Sequence, residues 1–338
     1  CLGLPVVGSD LPDVVDDVPG VVVSTLAGSD MLGVADGSGA AAAFDNPANL
    51  LLVEPDTLYV ADFDNGRVRV STTDGDVSTL TNQVGFARPF GLAWTTSGDL
   101  VVETDFDENG LNAGPNGGTL WTVDAVSGVA TPLVTMAGRP RGLVTLAGGM
   151  IAATDIVRHD VRLLDPSTGA MTPLAGLDAC PGYVDAAGAA ARFNRPYGSV
   201  VTPAGDLLVA DQYNHVIRQI APSGDVTTFA GDGVPDMIDG AIASARFNLP
   251  QDLAIDAAGN VYVADTGNHR IRVIGVDGFV RTLAGDGVAG FADGAGASAR
   301  FFGMEGVEVA ADGKTLYVAD GTNGDPEPYH RLRKITVP

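Results

Sequence analysis

An internal repeat constrains the fold of this chain more strongly than any other feature. Segments that begin RFNRPYG, RFNLPQD and RFFGMEG align with one another, and their first residues are Arg192, Arg246 and Arg300. The spacing is therefore 54 residues in both intervals. A fixed period of this length predicts a fold assembled from copies of one supersecondary unit.

Each copy contains four short segments rich in apolar and β-branched residues, separated by Gly, Asn or Asp. The copy that begins at Arg246 contains LAID and VYVAD around the turn AAGN, followed by RIRVI and FVRTLAG. Four strands joined by tight turns form one blade of a β-propeller. An Asp that closes the second strand marks each copy: Asp62, Asp105, Asp155, Asp211, Asp265 and Asp320. The sequence thus predicts an all-β, six-bladed propeller of four-stranded antiparallel blades.

These motifs resemble the NHL repeat, in which a Pro-led strand is followed by YVAD, NxHRIR and VxTLAG. The resemblance is clearest in blades four to six and weaker in blades two and three, and it implies the same six-bladed propeller. We expect a flexible N-terminal tether over residues 1–20 and the propeller over residues 21–338.

The two ends of the chain predict how the ring closes. The last copy ends at Pro338 after its third strand, whereas the segment VVVSTLAG at residues 21–28 matches the missing fourth strand. We therefore expect the N-terminal strand to complete blade six. Pairing the two ends in this way removes the free sheet edge that an open array would expose.

The charge of the chain narrows the classes of partner. It carries 42 Asp and Glu against 19 Lys and Arg, a net charge of −23. Such a surface repels nucleic acid and anionic lipid headgroups and suits a basic partner or a cation. Two cysteines make no disulfide framework, and Cys180 is predicted to be an inert thiol.

The residue Cys1 resembles the acylated N-terminus of mature bacterial lipoproteins. That resemblance implies a lipid on its thiol, contact with a membrane through this lipid, and a place at the outer membrane or cell surface. The alternative is a chain that begins with Cys and carries no lipid.

Most residues whose chemistry suggests a functional role recur at fixed positions of the repeat. The four histidines, His159, His215, His269 and His330, share one repeat position and fall in four different blades, whereas metal ligands must converge. The arginines repeated on the third strands are expected to pair with a carboxylate of a neighbouring blade. Both sets therefore have a structural interpretation.

Departures from the repeat are more informative. After its second strand, blade two carries an insertion in which Asp105, Asp107 and Asn109 alternate and precede Gly110, as in a calcium-binding loop. The bidentate Glu typical of such loops is replaced by Asn116. Calcium binding and a simple acidic turn are the two interpretations, and no other cofactor is required.

A second insertion, GTNGDPEPY at residues 321–329, lies at the matching place in blade six. Strand parity places both insertions on the same face as the long connections before blades one, four, five and six. Closure makes blades six, one and two neighbours. We therefore expect one acidic, decorated face, which is the candidate binding surface.

Three functions remain open at this stage. The leading hypothesis is a non-enzymatic, envelope-anchored scaffold that presents its decorated face to a partner protein. The alternative is a lactonase- or lyase-like enzyme with a metal in the central channel, for which Asp252, Glu305 and Glu308 on the first strands are the acidic candidates. Carbohydrate binding ranks third, because it needs exposed aromatic side chains on that face.

Overall fold

The structure is a computed structural model that describes residues 18–321 and 329–338. Six antiparallel sheets follow one another along the chain, one for each predicted blade. The innermost strand of every blade contacts that of the next, and the innermost strand of blade six contacts that of blade one. The predicted six-bladed propeller is confirmed.

The strands of each blade are given from the axis outward: Pro47–Val53, Thr57–Asp62, Arg67–Thr72 and Asp76–Thr81 in blade one; Pro89–Trp94, Leu100–Thr104, Thr119–Val123 and Ala130–Val134 in blade two; Pro140–Thr145, Ile151–Asp155, Asp160–Leu164 and Met171–Gly176 in blade three; Pro196–Val201, Leu207–Asp211, Val216–Ile220 and Val226–Ala230 in blade four; Pro250–Ile255, Val261–Asp265, Arg270–Ile274 and Phe279–Ala284 in blade five; Gly303–Val309, Thr315–Gly321, His330–Thr336 and Val22–Ser29 in blade six. Two-residue strands extend the outer edges of blades one, five and six: Gly37–Ser38, Gly240–Ala241 and Gly294–Ala295. Among the described residues, five short 3₁₀ helices lie in connections: Gly39–Ala41, Gly188–Ala190, Gln212–Asn214, Thr266–Asn268 and Gly296–Ser298.

The N-terminal strand closes the ring as the sequence predicts. Val22–Ser29 pairs antiparallel with His330–Thr336, and Val23 lies opposite Ile335. Both of these side chains are buried in the core that packs blade six against blade five. A strand near the N-terminus therefore supplies the fourth strand of the last blade.

A buried arginine fixes each long connection to its blade. In blade five, Arg272 on the third strand is ion-paired with Asp265 at the end of the second strand, 2.8 Å away, and with Asp239 in the preceding connection. It also donates to the carbonyls of Arg246 and Ile238. Arg69, Arg218 and Arg333 repeat this arrangement in the other blades that follow a long connection. The carboxylates thus belong to the arginine's own blade and its incoming connection, so our expectation of a partner in a neighbouring blade was wrong.

The histidines join consecutive blades. The Nδ1 atoms of His159, His215 and His330 accept the backbone N–H groups of Arg195, Leu249 and Asn46 in the next blade, at 3.0, 3.1 and 2.9 Å. Burial lowers the pKa of these three imidazoles, which favours the neutral ring that can accept a hydrogen bond. Their repeated position therefore has a structural cause.

The long connections lie on the same face as the second-to-third-strand connections, as strand parity predicts. The side-chain amides of Asn65, Asn214 and Asn268 donate to carbonyls of the incoming connections, Gly33, Gly182 and Asp236, at 2.7 to 2.9 Å. We call this surface the loop-bearing face. Within the described part of the chain, no helix is long and apolar enough to cross a membrane. Cys1 and residues 322–328 of the second insertion lie outside the described residues.

Candidate functional site

A cavity of about 520 Å³ lies at the centre of the loop-bearing face, and we call it the central cavity. Its wall includes the residue that precedes the first-strand proline in four blades: Asn46, Arg88, Arg195 and Leu249. All four adopt a left-handed backbone with φ between 51° and 58°. Because Leu249 shares this conformation, it is a property of the repeat and not a sign of function.

The floor of the central cavity comes from the residue that follows the same proline, and this residue differs in every blade. The six equivalent residues, with Met304 replacing the proline in blade six, are Ala48, Phe90, Arg141, Tyr197, Gln251 and Glu305.

Side chains of this ring meet across the propeller axis. The rings of Phe90 and Tyr197, from blades two and four, lie edge to face with centroids 5.5 Å apart. The Arg141 guanidinium lies 4.2 Å from the centroid of Phe90. The Tyr197 hydroxyl donates to Glu305 Oε1 in blade six at 3.1 Å. The channel is therefore closed at this level, and the cavity above it is a pocket.

Blade two departs from the repeat where it borders the floor. Register places Thr104 opposite Pro89, as Asp62 lies opposite Pro47 in blade one. Trp121 takes the position of the buried arginine, and its Nε1 donates to Thr104 Oγ1 at 2.8 Å. Asp105 is therefore one residue beyond the repeated Asp, and our assignment of it as the second-strand Asp of blade two was wrong.

Because Asp105 is not the second-strand Asp of the repeat, its carboxylate pairs with Arg141 below the floor of the cavity. The distance from Arg141 Nη1 to Asp105 Oδ1 is 2.8 Å, and that to Glu103 Oε2 is 3.2 Å. Burial opposes the charge on Arg141, but the two carboxylates outweigh it and raise its pKa. Burial raises the pKa of Glu103 well above its ordinary value. Burial also raises the pKa of Glu305 to about 7, although Arg141 and Tyr197 act against the rise.

The predicted calcium ligands have other partners in the structure. Asp105 faces Arg141, whereas Asp107 Oδ1 accepts the backbone N–H groups of Asn109 and Leu111 at 3.0 and 2.8 Å. In residues 18–321 and 329–338, no three His, Cys, Asp or Glu side chains group as metal ligands would. Calcium binding by this loop stays a prediction.

The predicted channel carboxylates lie at opposite ends of the propeller axis. Glu305 borders the central cavity, whereas Asp252 and Glu308 border a cavity of about 280 Å³ at the other end. Asp252 Oδ2 accepts the backbone N–H of Val307 at 2.9 Å. Burial raises the pKa of Asp252 to about 7 and that of Glu308 to about 8. The structure therefore does not bring the three residues together.

Sequence reasoning missed most residues of the central cavity, among them Arg141, Tyr197, Arg195 and Gln212. The first two had a readable signal, because the position after the first-strand proline changes in every copy while the proline itself recurs in five of the six. Gln212 directly follows the second strand of blade four and is only 4% exposed. Nothing in the sequence singled out Arg195, whose role depends on how the blades converge.

A family model describing the NHL repeat matches residues 247–274, in the first three strands of blade five. The match falls within one copy of the four-stranded repeat that the structure shows in all six blades. The protein is a β-propeller that contains an NHL repeat. Its predicted family resemblance is confirmed.

Curated relatives of this NHL-repeat propeller are larger proteins. It is 34% identical over 152 residues to NHL repeat-containing protein 2 of Bos taurus, covering 41% of this chain and 21% of that protein. It is 28% identical over 294 residues to the chloroplastic protein SUPPRESSOR OF QUENCHING 1 of Arabidopsis thaliana, covering 76% of this chain and 28% of that protein. The chain thus spans less than half the length of these curated relatives.

Solved structures share the fold at low sequence identity. An auxiliary nutrient binding protein from Bacteroides thetaiotaomicron matches with a TM-score of 0.71 and 20% identity, over 93% of this chain and 76% of that one. A gluconolactonase from Xanthomonas campestris matches at 0.60 and 18%, over 95% and 91%. A virginiamycin B lyase from Staphylococcus aureus matches at 0.57 and 12%, over 94% and 99%. At these identities the likeness shows the fold alone.

Proposed function

We propose that this NHL-repeat propeller is a non-enzymatic binding protein that takes a small polar ligand in its central cavity. The observation that carries the proposal is the ring of residues after the first-strand proline. The position just before it is Pro in five of the six blades, whereas this position holds six different residues, five of which line one cavity. Differences that converge on one pocket are expected of a site shaped for a ligand.

The composition of the cavity supports a binding role. Its volume of about 520 Å³ lies in the usual range for small-molecule sites. Aromatic side chains, among them Phe63, Tyr213 and Phe302, line it together with arginines and side-chain amides. The likeness to a protein named for auxiliary nutrient binding is in keeping with this role.

The carboxylates near the floor of the central cavity favour a binding role over metal-centred catalysis. The carboxylates nearest the floor already have protein partners: Asp105 and Glu103 bind Arg141, and Glu305 accepts the Tyr197 hydroxyl. A catalytic metal needs several oxygen or nitrogen ligands free to converge on one point. The lactonase- or lyase-like alternative therefore has less support than the binding role.

A change that fills the cavity tests the proposal. Leu249→Trp enlarges a side chain of the cavity wall without changing its charge, and Val288→Trp makes the same kind of change at a position 51% exposed on an incoming connection. Melting temperatures are measured with a panel of sugars, amino acids and organic acids. A ligand at one hundred times its Kd stabilises by about 2.7 kcal/mol, which raises Tm by roughly 4 °C for a domain of this size.

The proposal predicts that a ligand shifts the Tm of the wild type and of Val288→Trp but not of Leu249→Trp. Circular dichroism spectra of both variants serve as the control for correct folding. Shifts that are equal in all three proteins would place the ligand elsewhere and contradict the proposal.

Binding of a partner protein at the loop-bearing face is the second candidate. The incoming connections expose apolar side chains, among them Met31 at 72%, Leu32 at 61% and Tyr183 at 45%. Exposed apolar groups on one face are typical of protein contact surfaces. They support the scaffold hypothesis, in which a lipid on Cys1 holds the propeller at the cell envelope.

Cell fractionation tests the anchoring part of this candidate. We expect the wild-type protein in the membrane fraction and a Cys1→Ser variant in the soluble fraction, because the thiol is the atom that would be acylated. Soluble protein in both cases would contradict a lipid anchor.

A further inference from the structure

The central cavity contains three arginines of a strongly acidic protein, beside the carboxyl groups of Asp64 and Glu305. Arg88, Arg141 and Arg195 all line it, although the chain has 19 Lys and Arg against 42 Asp and Glu. Arg141 is committed to Asp105 and Glu103, and Arg88 lies 3.2 Å from Asp64. Arg195 has no carboxylate within 4.0 Å among the described residues.

The guanidinium of Arg195 is held in place by one neighbour. Its Nη1 donates to the Tyr213 hydroxyl at 2.8 Å, and the group lies 4.8 Å from the centroid of the same ring. Its Nε atom is buried and has no hydrogen-bond partner. In the buried arginines that fix the connections, Nε also has no partner, but both terminal nitrogens are engaged. In Arg195, the edge formed by Nε and Nη2 remains unoccupied by protein acceptors.

That edge is a pair of parallel N–H donors, which matches the two oxygens of a carboxylate. A buried donor without a partner also favours a ligand that satisfies it. Gln212, from the same blade, adds a second polar contact, because it is 4% exposed and its Oε1 has no hydrogen-bond partner. Phe90, Tyr197 and Phe302 offer apolar surface for the carbon part of the ligand.

We propose that the ligand of the central cavity is a small organic carboxylate, whose carboxylate group pairs with the Nε and Nη2 atoms of Arg195. This inference rests on the proposed function, because it names the class of ligand for the same site. Gln212 binds a hydroxyl or amine of the ligand, and Arg88, at the inner end of blade two, adds electrostatic attraction.

Matched pairs of acids and neutral analogues test the inference by calorimetric titration. The probes are pentanoate and pentanamide, phenylacetate and phenylacetamide, and glucuronate and glucose. We expect at least one acid to bind tenfold or more tightly than its neutral partner. Arg195→Gln should weaken the binding of that acid by about 10- to 100-fold, because a charge-assisted hydrogen-bonded pair is lost. Arg195→Lys should weaken it by less, because the positive charge is kept.

Arg192→Gln is the matched control. Arg192 lies three residues away in the same connection and also lacks a carboxylate partner among the described residues, but it donates to the carbonyls of Ala189 and Ala191 and does not line the cavity. We expect it to bind the acid as the wild type does. An equal loss in both variants would show a general charge effect and overturn the assignment of Arg195.

The remaining outcomes separate the two proposals. If acids and neutral analogues bind equally and Leu249→Trp blocks both, the carboxylate inference fails and the binding function stands. If no probe distinguishes the wild type from Leu249→Trp, the proposed function fails as well. Tighter binding of phenyl phosphate than of any carboxylate would overturn the choice of carboxylate.

Discussion

Arg272→Met removes the cation that joins blade five to its incoming connection. The wild-type side chain is fully buried and contacts two carboxylates and two carbonyls. Methionine keeps much of the volume but leaves Asp265 buried without its counter-charge. Removing one partner of a buried pair typically costs about 3–5 kcal/mol.

The corresponding change in melting temperature follows from the size of the protein. An unfolding entropy of about 2.1 cal/mol/K per residue gives about 0.7 kcal/mol/K for a chain of this length. Arg272→Met should therefore lower Tm by roughly 4–7 °C. Calorimetric melting or urea denaturation followed by circular dichroism measures the loss.

The matched control lies in the same blade. Arg281 is ion-paired with Asp277 at 2.6 Å, but the two side chains are 40% and 51% exposed. An exposed pair contributes at most about 1 kcal/mol, so Arg281→Met should lower Tm by no more than about 1.5 °C. If the two variants melted within 1 °C of each other, our reasoning on the buried arginines would be refuted.

The pH dependence of Arg272→Met gives a second check. Burial already raises the pKa of Asp265 in the folded protein, and Arg272 acts against that rise. Without the guanidinium the pKa rises further, so the folded variant binds more protons than its unfolded chain. Stability then falls as pH rises, and the deficit relative to the wild type should be larger at pH 8 than at pH 5.

Three further predictions concern ring closure, the cavity and the insertion. Deleting residues 1–29 removes the fourth strand of blade six and should cause aggregation or a large loss of Tm, whereas deleting residues 1–17 should not. Equal melting of the two truncations would contradict the closure. Glu305, which faces Arg141, Tyr197, Asp105 and Asp64, has its pKa raised by burial to about 7, so a bound carboxylate should bind more tightly at pH 6 than at pH 8. Because His269 also lines the cavity, Glu305→Gln isolates the effect, and a pH dependence unchanged in that variant would rule out Glu305 as its source. Calorimetric titration with Ca²⁺ tests the insertion of blade two. A binding heat in the wild type that is lost in Asp107→Ala supports a calcium site, whereas no binding heat in either protein contradicts it.

The sequence was sufficient to predict the fold because the repeat recurs in residues whose roles are local. The second-strand Asp, the third-strand Arg and the turn glycines act within one blade, so a 54-residue spacing indicates one blade per copy. Ring closure was also predictable, since residues 21–28 carry the fourth-strand motif that the last copy lacks.

The register of blade two was not predictable from the motif. An acidic residue near the end of its second strand suggested the repeated Asp, but Thr104 occupies that position and bonds to Trp121. The replacement of a buried Arg–Asp pair by a Trp–Thr pair becomes visible only from strand pairing. Asp105 then turns toward Arg141, and its predicted role in calcium binding competes with this ion pair.

The central cavity could not be assembled from the sequence because its residues come from blades far apart in the chain. Glu305 was identified as a channel residue, but its contact with Tyr197 spans 108 positions and depends on two non-neighbouring blades meeting at the axis. Arg195 lies at an ordinary repeat position. Its unoccupied donor edge is a property of the closed ring.

A crystal structure of the protein with the tightest-binding carboxylate tests the central claim most directly. Our account predicts a ligand in the central cavity, with its carboxylate oxygens within hydrogen-bond distance of Arg195 Nε and Nη2 and a polar group at Gln212. A ligand bound in the opposite cavity beside Asp252 and Glu308, or on the outer surface of the blades, would contradict it.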